Sequence, residues 1–433
     1  MSLLIRNGTI ITQNKKREIV TGDLLVEGNR IKKIGTSAVD STTKVIDAQN
    51  KFVIPGLIQA HTHLCQTLFR GRADDLSLFD WLKRRIWPME HRHSEKTLSA
   101  SADLGLLEMQ LFGTTTILDM GTTRHTHRIF EAAKKSGVRY FGGNCFMDLK
   151  KFSGPLFMST NESLAEVSAL QKKFHKPEEG LSFVLNPRFV VCCTDEILEY
   201  CAEKQKIEGT RVHIHASENL DEIKIVRART KKNNVDYLAS LGLLNSKTIV
   251  VHGVHLTEIE IKKMAKSKTP LVHCPSANLK LASGFAPVTK YLKEKMVVAL
   301  GSDGAACNNT MDPFRELRLA ALLQKPLFGP RSLPAQEAFD MLTINGAKAL
   351  GLESELGSLE EGKLADIVLI DRNHPSLATV ENPVSALVYS CSGENVSDVI
   401  SNGEIIVRNK VHQKFDAGEV IARAREAIKL LDI

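Results

Sequence analysis

Between about residue 53 and residue 323 the sequence alternates, eight times over, a short apolar run with a longer run of helical periodicity. The strand-like runs are 53–60, 115–120, 138–145, 181–189, 211–216, 248–255, 270–274 and 297–302. The helix-like runs are 95–111, 126–135, 161–174, 195–205, 221–229, 258–266, 288–295 and 312–323. Strands that return through a helix lie parallel. Eight such units argue for an α/β protein built on a closed (β/α)8 TIM barrel. An open doubly wound sheet would carry a glycine-rich phosphate turn after its first strand, and His61-Thr62-His63 stands there instead.

The two ends of the chain read differently. Residues 3–12, 23–34 and 44–46 are strand-like, with turns at Asn7-Gly8 and Gly28-Asn29. Residues 365–370, 384–389, 396–400 and 404–408 are also strand-like, and 417–431 is helical. Two β-rich ends around one alternating middle predict a small β-sandwich shared by both termini. The predicted domains are residues 1–53 with 358–433, and a barrel over 54–357. Residues 64–93 are too many for an ordinary strand-to-helix loop and are expected to cap the barrel mouth.

Composition narrows the function classes. Apolar residues make up 43% and charged residues 25%, as in soluble globular proteins. The net charge of +7 is spread along the chain, and Lys83-Arg84-Arg85 forms its longest basic cluster. There is no basic stripe with a recognisable module, so no nucleic-acid partner is expected. No run of 18 apolar residues suggests a membrane span. The 8 cysteines show no C-x-x-C spacing, and the first residues lack the pattern of a signal peptide. A reducing, cytoplasmic setting is the expectation.

In such a barrel the reacting groups sit at the C-terminal strand ends. The first strand ends in His61 and His63, two apart and so on one face. The fifth carries His213 and His215, with Glu218 three residues further on; His215 is nearer the end and His213 deeper. His252 ends the sixth strand, His273 and Cys274 the seventh, and Asp303 the eighth. Closing the barrel sets Asp303 beside His61 and His63. Each residue alone has a structural explanation. Together, three imidazoles and a carboxylate suit one zinc-like ion with a position open for water. Glu218 would be an acid/base partner. The fourth strand ends in Asn186-Pro187-Arg188, without a lysine to bridge a second metal.

PGLIQAHTH (55–63), HIHASE (213–218), VHGVHL (251–256) and LGSDGAACNN (300–309) resemble, in order and spacing, the one-metal deaminase and chlorohydrolase branch of the amidohydrolase superfamily. QTLFRGRADDLSLFDWLKRRIWPME (66–90) is similar to the lid of its S-adenosylhomocysteine, methylthioadenosine and 5'-deoxyadenosine deaminases. The resemblance implies that His61, His63, His215 and Asp303 hold one divalent metal, zinc or else ferrous iron. It implies that Asp303 takes a proton from water, Glu218 protonates the substrate ring and His252 orients the attack. It also implies that Glu90 grips ribose hydroxyls and Trp81 lines the pocket.

Two features depart from those deaminases. Pro187-Arg188-Phe189 stands where they carry Pro-His, and looks like the guanine deaminases. Arg188 can only donate, which favours a carbonyl or carboxylate acceptor. Residues 144–158 hold Lys150 and Lys151 but no arginine, which favours a neutral 5'-substituent over a homocysteine carboxylate. The expected activity is hydrolytic deamination of adenosine-type nucleosides. Alternatives are an aminohydrolase of guanine, other oxo-purines or pterins, and an s-triazine chlorohydrolase. A non-catalytic scaffold is disfavoured because every ligand and acid/base position is filled. The expected partner is a purine or related small heterocycle, and a homo-oligomer is left open.

Overall fold

The computed structural model describes residues 2–36 and 41–431. Residues 1, 37–40 and 432–433, which fall within the expected terminal domain, lie outside the described residues. The alternating middle folds as an α/β array of short parallel strands. Leu57–Thr62, Thr114–Asp119, Arg139–Gly142 and Leu181–Phe183 form one four-stranded sheet. Val212–Ala216, Thr248–His252, Leu271–His273 and Val298–Leu300 form a second. All pairings within both are parallel. Isolated parallel bridges Leu185↔Val212 and Thr62↔Asp303 connect the outer edges of the two sheets. Nearly every strand residue is buried on both faces, which explains why these runs read as continuous apolar segments.

The intervening helices start where their capping residues stand. Ser94, Ser159, Asn219 and Thr257 each close a reciprocal cap with the side chain three residues on. These helices place each strand's C-terminal end, and the turn that follows it, on one side of the array.

Four of the strand-like runs differ in the structure. The run 53–60 is two strands, because Pro55-Gly56 breaks it. Lys51–Pro55 pairs with Ile367–Asp371 in the terminal sheet, whereas Leu57–Thr62 enters the parallel array. A Cβ on Gly56 would lie 2.2 Å from Thr115 Oγ1, so the crossing point takes only glycine. The runs 138–145 and 181–189 are also split. Their distal pieces, Cys145–Phe146 and Asn186–Pro187, pair with each other. Asn186 Nδ2 donates to the carbonyls of Asp119, Met120 and Gly143, occupying acceptors that a longer ladder would use. Finally, 384–389 is helix, not strand: Pro383–Tyr389 starts on Asn382, whose side chain accepts from Ser385 N at 3.0 Å. The Asn-Pro start signal outweighs the β-branched content.

Both termini meet in one nine-stranded sheet. It encloses its own apolar cluster, including Leu3, Ile5, Leu24, Ile46, Ile367 and Ile400. All eight cysteines are buried free thiols. Among the described residues, no helix is long and apolar enough to cross a membrane.

Candidate metal centre and active site

Four strand ends converge on one buried chamber. His63 Nε2 lies 3.2 Å from His215 Nε2 and 3.4 Å from Asp303 Oδ1. His61 Nε2 lies 3.3 Å from Asp303 Oδ1. The Thr62↔Asp303 bridge sets this spacing, with Asp303 N donating to His61 O at 3.1 Å. Gly301 permits the close approach of strands, since a Cβ there would meet His61 backbone atoms. Asp303 and His252 hold left-handed backbone angles, φ 60° and 72°. Such angles in non-glycine residues persist where surrounding contacts over-determine them.

These donors suit a metal ion. Zinc bonds of about 2.0–2.1 Å at tetrahedral angles put neighbouring donors about 3.3–3.4 Å apart, as here. His61 Nε2 is buried and makes no hydrogen bond among the described residues, although Asp303 is within reach. Burial is the main cause that pushes His61, His63 and His215 below the usual histidine range, so the rings are neutral, as ligation requires. Burial pushes Asp303 up, but the facing edges of His61, His63 and His252 outweigh it and leave the carboxylate well below its ordinary range. Two other clusters include Cys65 or Cys274, but burial raises both thiols well above their usual value, so neither offers a thiolate.

The ring orientations are fixed from behind. His61 Nδ1 is 2.9 Å from His213 Nε2, and His215 Nδ1 donates to the Arg188 carbonyl at 2.5 Å. His252 Nδ1 donates to Asn278 Oδ1 at 2.9 Å. Its Nε2 then sits 3.5 Å from Glu218 Oε2 and 3.9 Å from Asp303 Oδ2. Ser283 Oγ donates to Glu218 Oε1 at 3.1 Å, leaving Oε2 toward the chamber. Burial raises the Glu218 carboxyl above its usual range. The Glu218 turn is itself held: Ser217 N, Glu218 N and Asn219 N all donate to the buried Glu222 carboxylate.

The chamber opens into a narrow cleft of about 30 Å³, walled by Trp81, Leu78, Arg188, Phe189 and Leu281. Leu78–Trp81 and the π-helical turn Leu82–Ile86 belong to the long 64–93 segment, which covers the strand ends. Arg188 is paired with buried Glu90 through two hydrogen bonds, 2.7 and 3.2 Å. Lys280 ties the segment down through Asp74, and also bonds Asn309 after the eighth strand.

Residues 52–406 match the amidohydrolase family profile. The chain belongs to the amidohydrolase family. A 5-methylthioadenosine/S-adenosylhomocysteine deaminase of Pyrococcus abyssi is 36% identical over 428 residues, covering 98% of each chain. A 5'-deoxyadenosine deaminase of Methanosphaera stadtmanae is 36% identical over 433 residues, covering 99% of each. The crystal structure of an adenosine deaminase from Xanthomonas campestris with bound zinc superposes with TM-score 0.94 at 29% identity, over 99% of this chain and 98% of that one. An atrazine chlorohydrolase from Arthrobacter aurescens complexed with zinc superposes with TM-score 0.91 at 26% identity, over 98% and 100%.

In this amidohydrolase, His61, His63, His215, His252, Glu218 and Asp303 are brought into the chamber, and Trp81 and Arg188 line its approach. Glu90 stands behind Arg188 and is not a cleft wall. His273, at the end of the seventh strand, is buried, and neither ring nitrogen has a partner among the described residues. The seventh unit contributes Asn278 instead, from the helix Pro275–Lys280, and Ser283 just beyond it. Sequence reading stopped at the strand end and passed over both; their position in the next turn was the available signal. Gln66, which donates to Glu90 at 2.8 Å, was missed for the same reason.

Proposed function

We propose that this amidohydrolase is a metal-dependent hydrolytic deaminase of adenosine-type nucleosides, releasing ammonia and the inosine analogue. The observation that carries the reading is the meeting of His61, His63, His215 and Asp303 beside Glu218 and His252. Those four would hold a divalent ion, zinc in this account, consistent with the neutral imidazoles and the spacing. A divalent ion so held lowers the pKa of a water toward neutrality. Asp303 Oδ2, turned toward His252, accepts the proton of the attacking water and returns it to the leaving amine. His252 Nε2, between the two carboxyl groups, orients that water. Glu218, whose burial favours its protonated form, gives a proton to the ring nitrogen beside the attacked carbon. One water is consumed: one of its protons reaches the leaving amine by way of Asp303, the other passes back to Glu218 as the C=O bond forms and the C–N bond breaks.

Arg188 and Trp81 line the substrate-binding wall in this reading, with Glu90 behind Arg188. Lys150 and Lys151 are exposed and lie against Phe157 and Phe152, which favours a neutral 5'-group, as in 5'-deoxyadenosine or methylthioadenosine, over a homocysteine carboxylate. The edge-to-edge bridges Leu185↔Val212 and Thr62↔Asp303 support closure into a (β/α)8 barrel over residues 54–357. The separate apolar cluster of the terminal sheet supports a β-sandwich domain from 1–53 and 358–433. Eight buried free thiols fit a cytoplasmic setting.

A second reading, an aminohydrolase of guanine or another oxo-purine, is favoured by Arg188 alone, a donor facing the cleft. The deciding assay measures ammonia from adenosine, methylthioadenosine, 5'-deoxyadenosine and guanine, and chloride from a chloro-s-triazine. A nucleoside is expected to exceed guanine and the triazine by about tenfold or more in kcat/KM. Guanine turnover without any nucleoside turnover overturns the first reading in favour of the second.

A further inference from the structure

Resting on the deaminase reading above, we infer that Arg188 is the side chain that reads the substrate ring, and that Glu90 acts through Arg188 as a positioning residue and grips no sugar hydroxyl. The order of the layers points this way. Arg188 borders the cleft, whereas the Glu90 side chain is 1% exposed and sits behind it. Both Glu90 oxygens are engaged. Oε2 accepts from Arg188 Nη1 at 2.7 Å, and Oε1 accepts from Arg188 Nη2 at 3.2 Å and Gln66 Nε2 at 2.8 Å. Three of the carboxylate's roughly four acceptor sites are taken, so Glu90 cannot hold two hydroxyls without giving up one of these bonds, and the guanidinium stands between it and the cleft.

Arg188 keeps capacity to spare. A guanidinium carries five N–H donors and no acceptor. Among the described residues, Nη1 meets Glu90 and, weakly, Met147 Sδ at 3.7 Å, Nη2 meets Glu90 once, and Nε makes no hydrogen bond. The backbone of Arg188 is locked to the chamber, its carbonyl accepting from both His215 N at 3.0 Å and His215 Nδ1. Arg188 lines the same cleft as Glu218 and His252, where the reacting ring must lie, so its spare donors are within that cleft's wall. A group that only donates recognises only acceptors, so the complementary feature is a ring nitrogen or ring carbonyl. Glu90 fixes the plane of the fork and so selects which acceptor position is read.

The test compares adenosine with 3-deazaadenosine, 7-deazaadenosine, 2'-deoxyadenosine and 3'-deoxyadenosine on the metal-loaded enzyme and its E90Q, R188Q and E90Q/R188Q variants. The native enzyme should lose about tenfold or more in kcat/KM on one deaza analogue. R188Q and E90Q should each erase that discrimination, and the double variant should be no worse than either single one. E90Q should leave the ratios between adenosine and the two deoxy substrates unchanged. The double variant removes both charges, so its melting curve and metal content separate unfolding from lost recognition. Collapse of the hydroxyl ratios in E90Q, with the deaza ratio intact, would overturn the inference in favour of direct sugar contact. Additive losses in the double variant would overturn the claim that Glu90 works through Arg188. No turnover of any of these nucleosides by the native enzyme overturns the deaminase reading beneath it.

Discussion

Replacing Gly301 with alanine would drive a methyl group between the eighth and first parallel strands. A Cβ there would lie 2.7 Å from His61 O, 2.8 Å from His61 Cβ and 2.9 Å from His61 N. None of these atoms can move aside by a rotamer change. Restoring a contact of about 3.5 Å requires the strands to part by about 0.8 Å. The same movement stretches the Asp303 N to His61 O bond from 3.1 Å to about 3.9 Å, beyond hydrogen-bonding distance. It also draws Asp303 Oδ1 away from His61 Nε2, now 3.3 Å off. Overpacking of this kind costs about 1–3 kcal/mol. A ligand or proton acceptor displaced by nearly 1 Å costs about a hundredfold in rate. G301A should therefore melt cooperatively at a lower temperature, carry less metal per chain and lose about a hundredfold in kcat/KM. Metal analysis, calorimetry and ammonia release measure the three. A G301A enzyme with native metal content and native kcat/KM would refute the claim that this contact sets the spacing of His61 and Asp303.

Two further outcomes follow from side chains away from the cleft. If His61 offers Nε2 to the metal, its Nδ1–H donates to His213 Nε2; H213F should weaken metal affinity by about 10–100-fold in a chelator competition, and an unchanged affinity would contradict that tautomer. His412 accepts from Lys414 N and Phe415 N at Nδ1 and faces Gln110 Oε1 through Nε2, so it is satisfied only when neutral. Burial first, and then Lys414, push its pKa from 6.5 down to about 4. Its contribution is therefore full above the unfolded value near 6.5 and is lost as pH falls toward 4, by on the order of 3 kcal/mol. Denaturant midpoints should fall along that limb in the native chain and fall less in H412Q; parallel curves would count against His412 as the cause.

The alternation of strands and helices was legible because each strand is buried on both faces and each helix on one, so the two periodicities stand apart. The chamber was legible because its residues lie at strand ends, where chain position and spatial position coincide. His61, His63 and Asp303 are examples: one bridge, Thr62↔Asp303, joins them. What escaped depends on contacts that no local pattern encodes. Glu90 and Arg188 are 98 residues apart, and nothing near either one announces the other. Asn278 and Ser283 sit past the seventh strand, in a segment without strand periodicity. The helix Pro383–Tyr389 was hidden because its β-branched residues suit a strand, while the capping bond that decides it involves only Asn382 and Ser385.

The most direct measurement is a diffraction data set from metal-loaded crystals at the zinc absorption edge. The account predicts one anomalous peak per chain, about 2.0–2.2 Å from a nitrogen of each of His61, His63 and His215 and from an oxygen of Asp303. A deaminase that is fully active with no such peak, or with its only peak on other side chains, would contradict it.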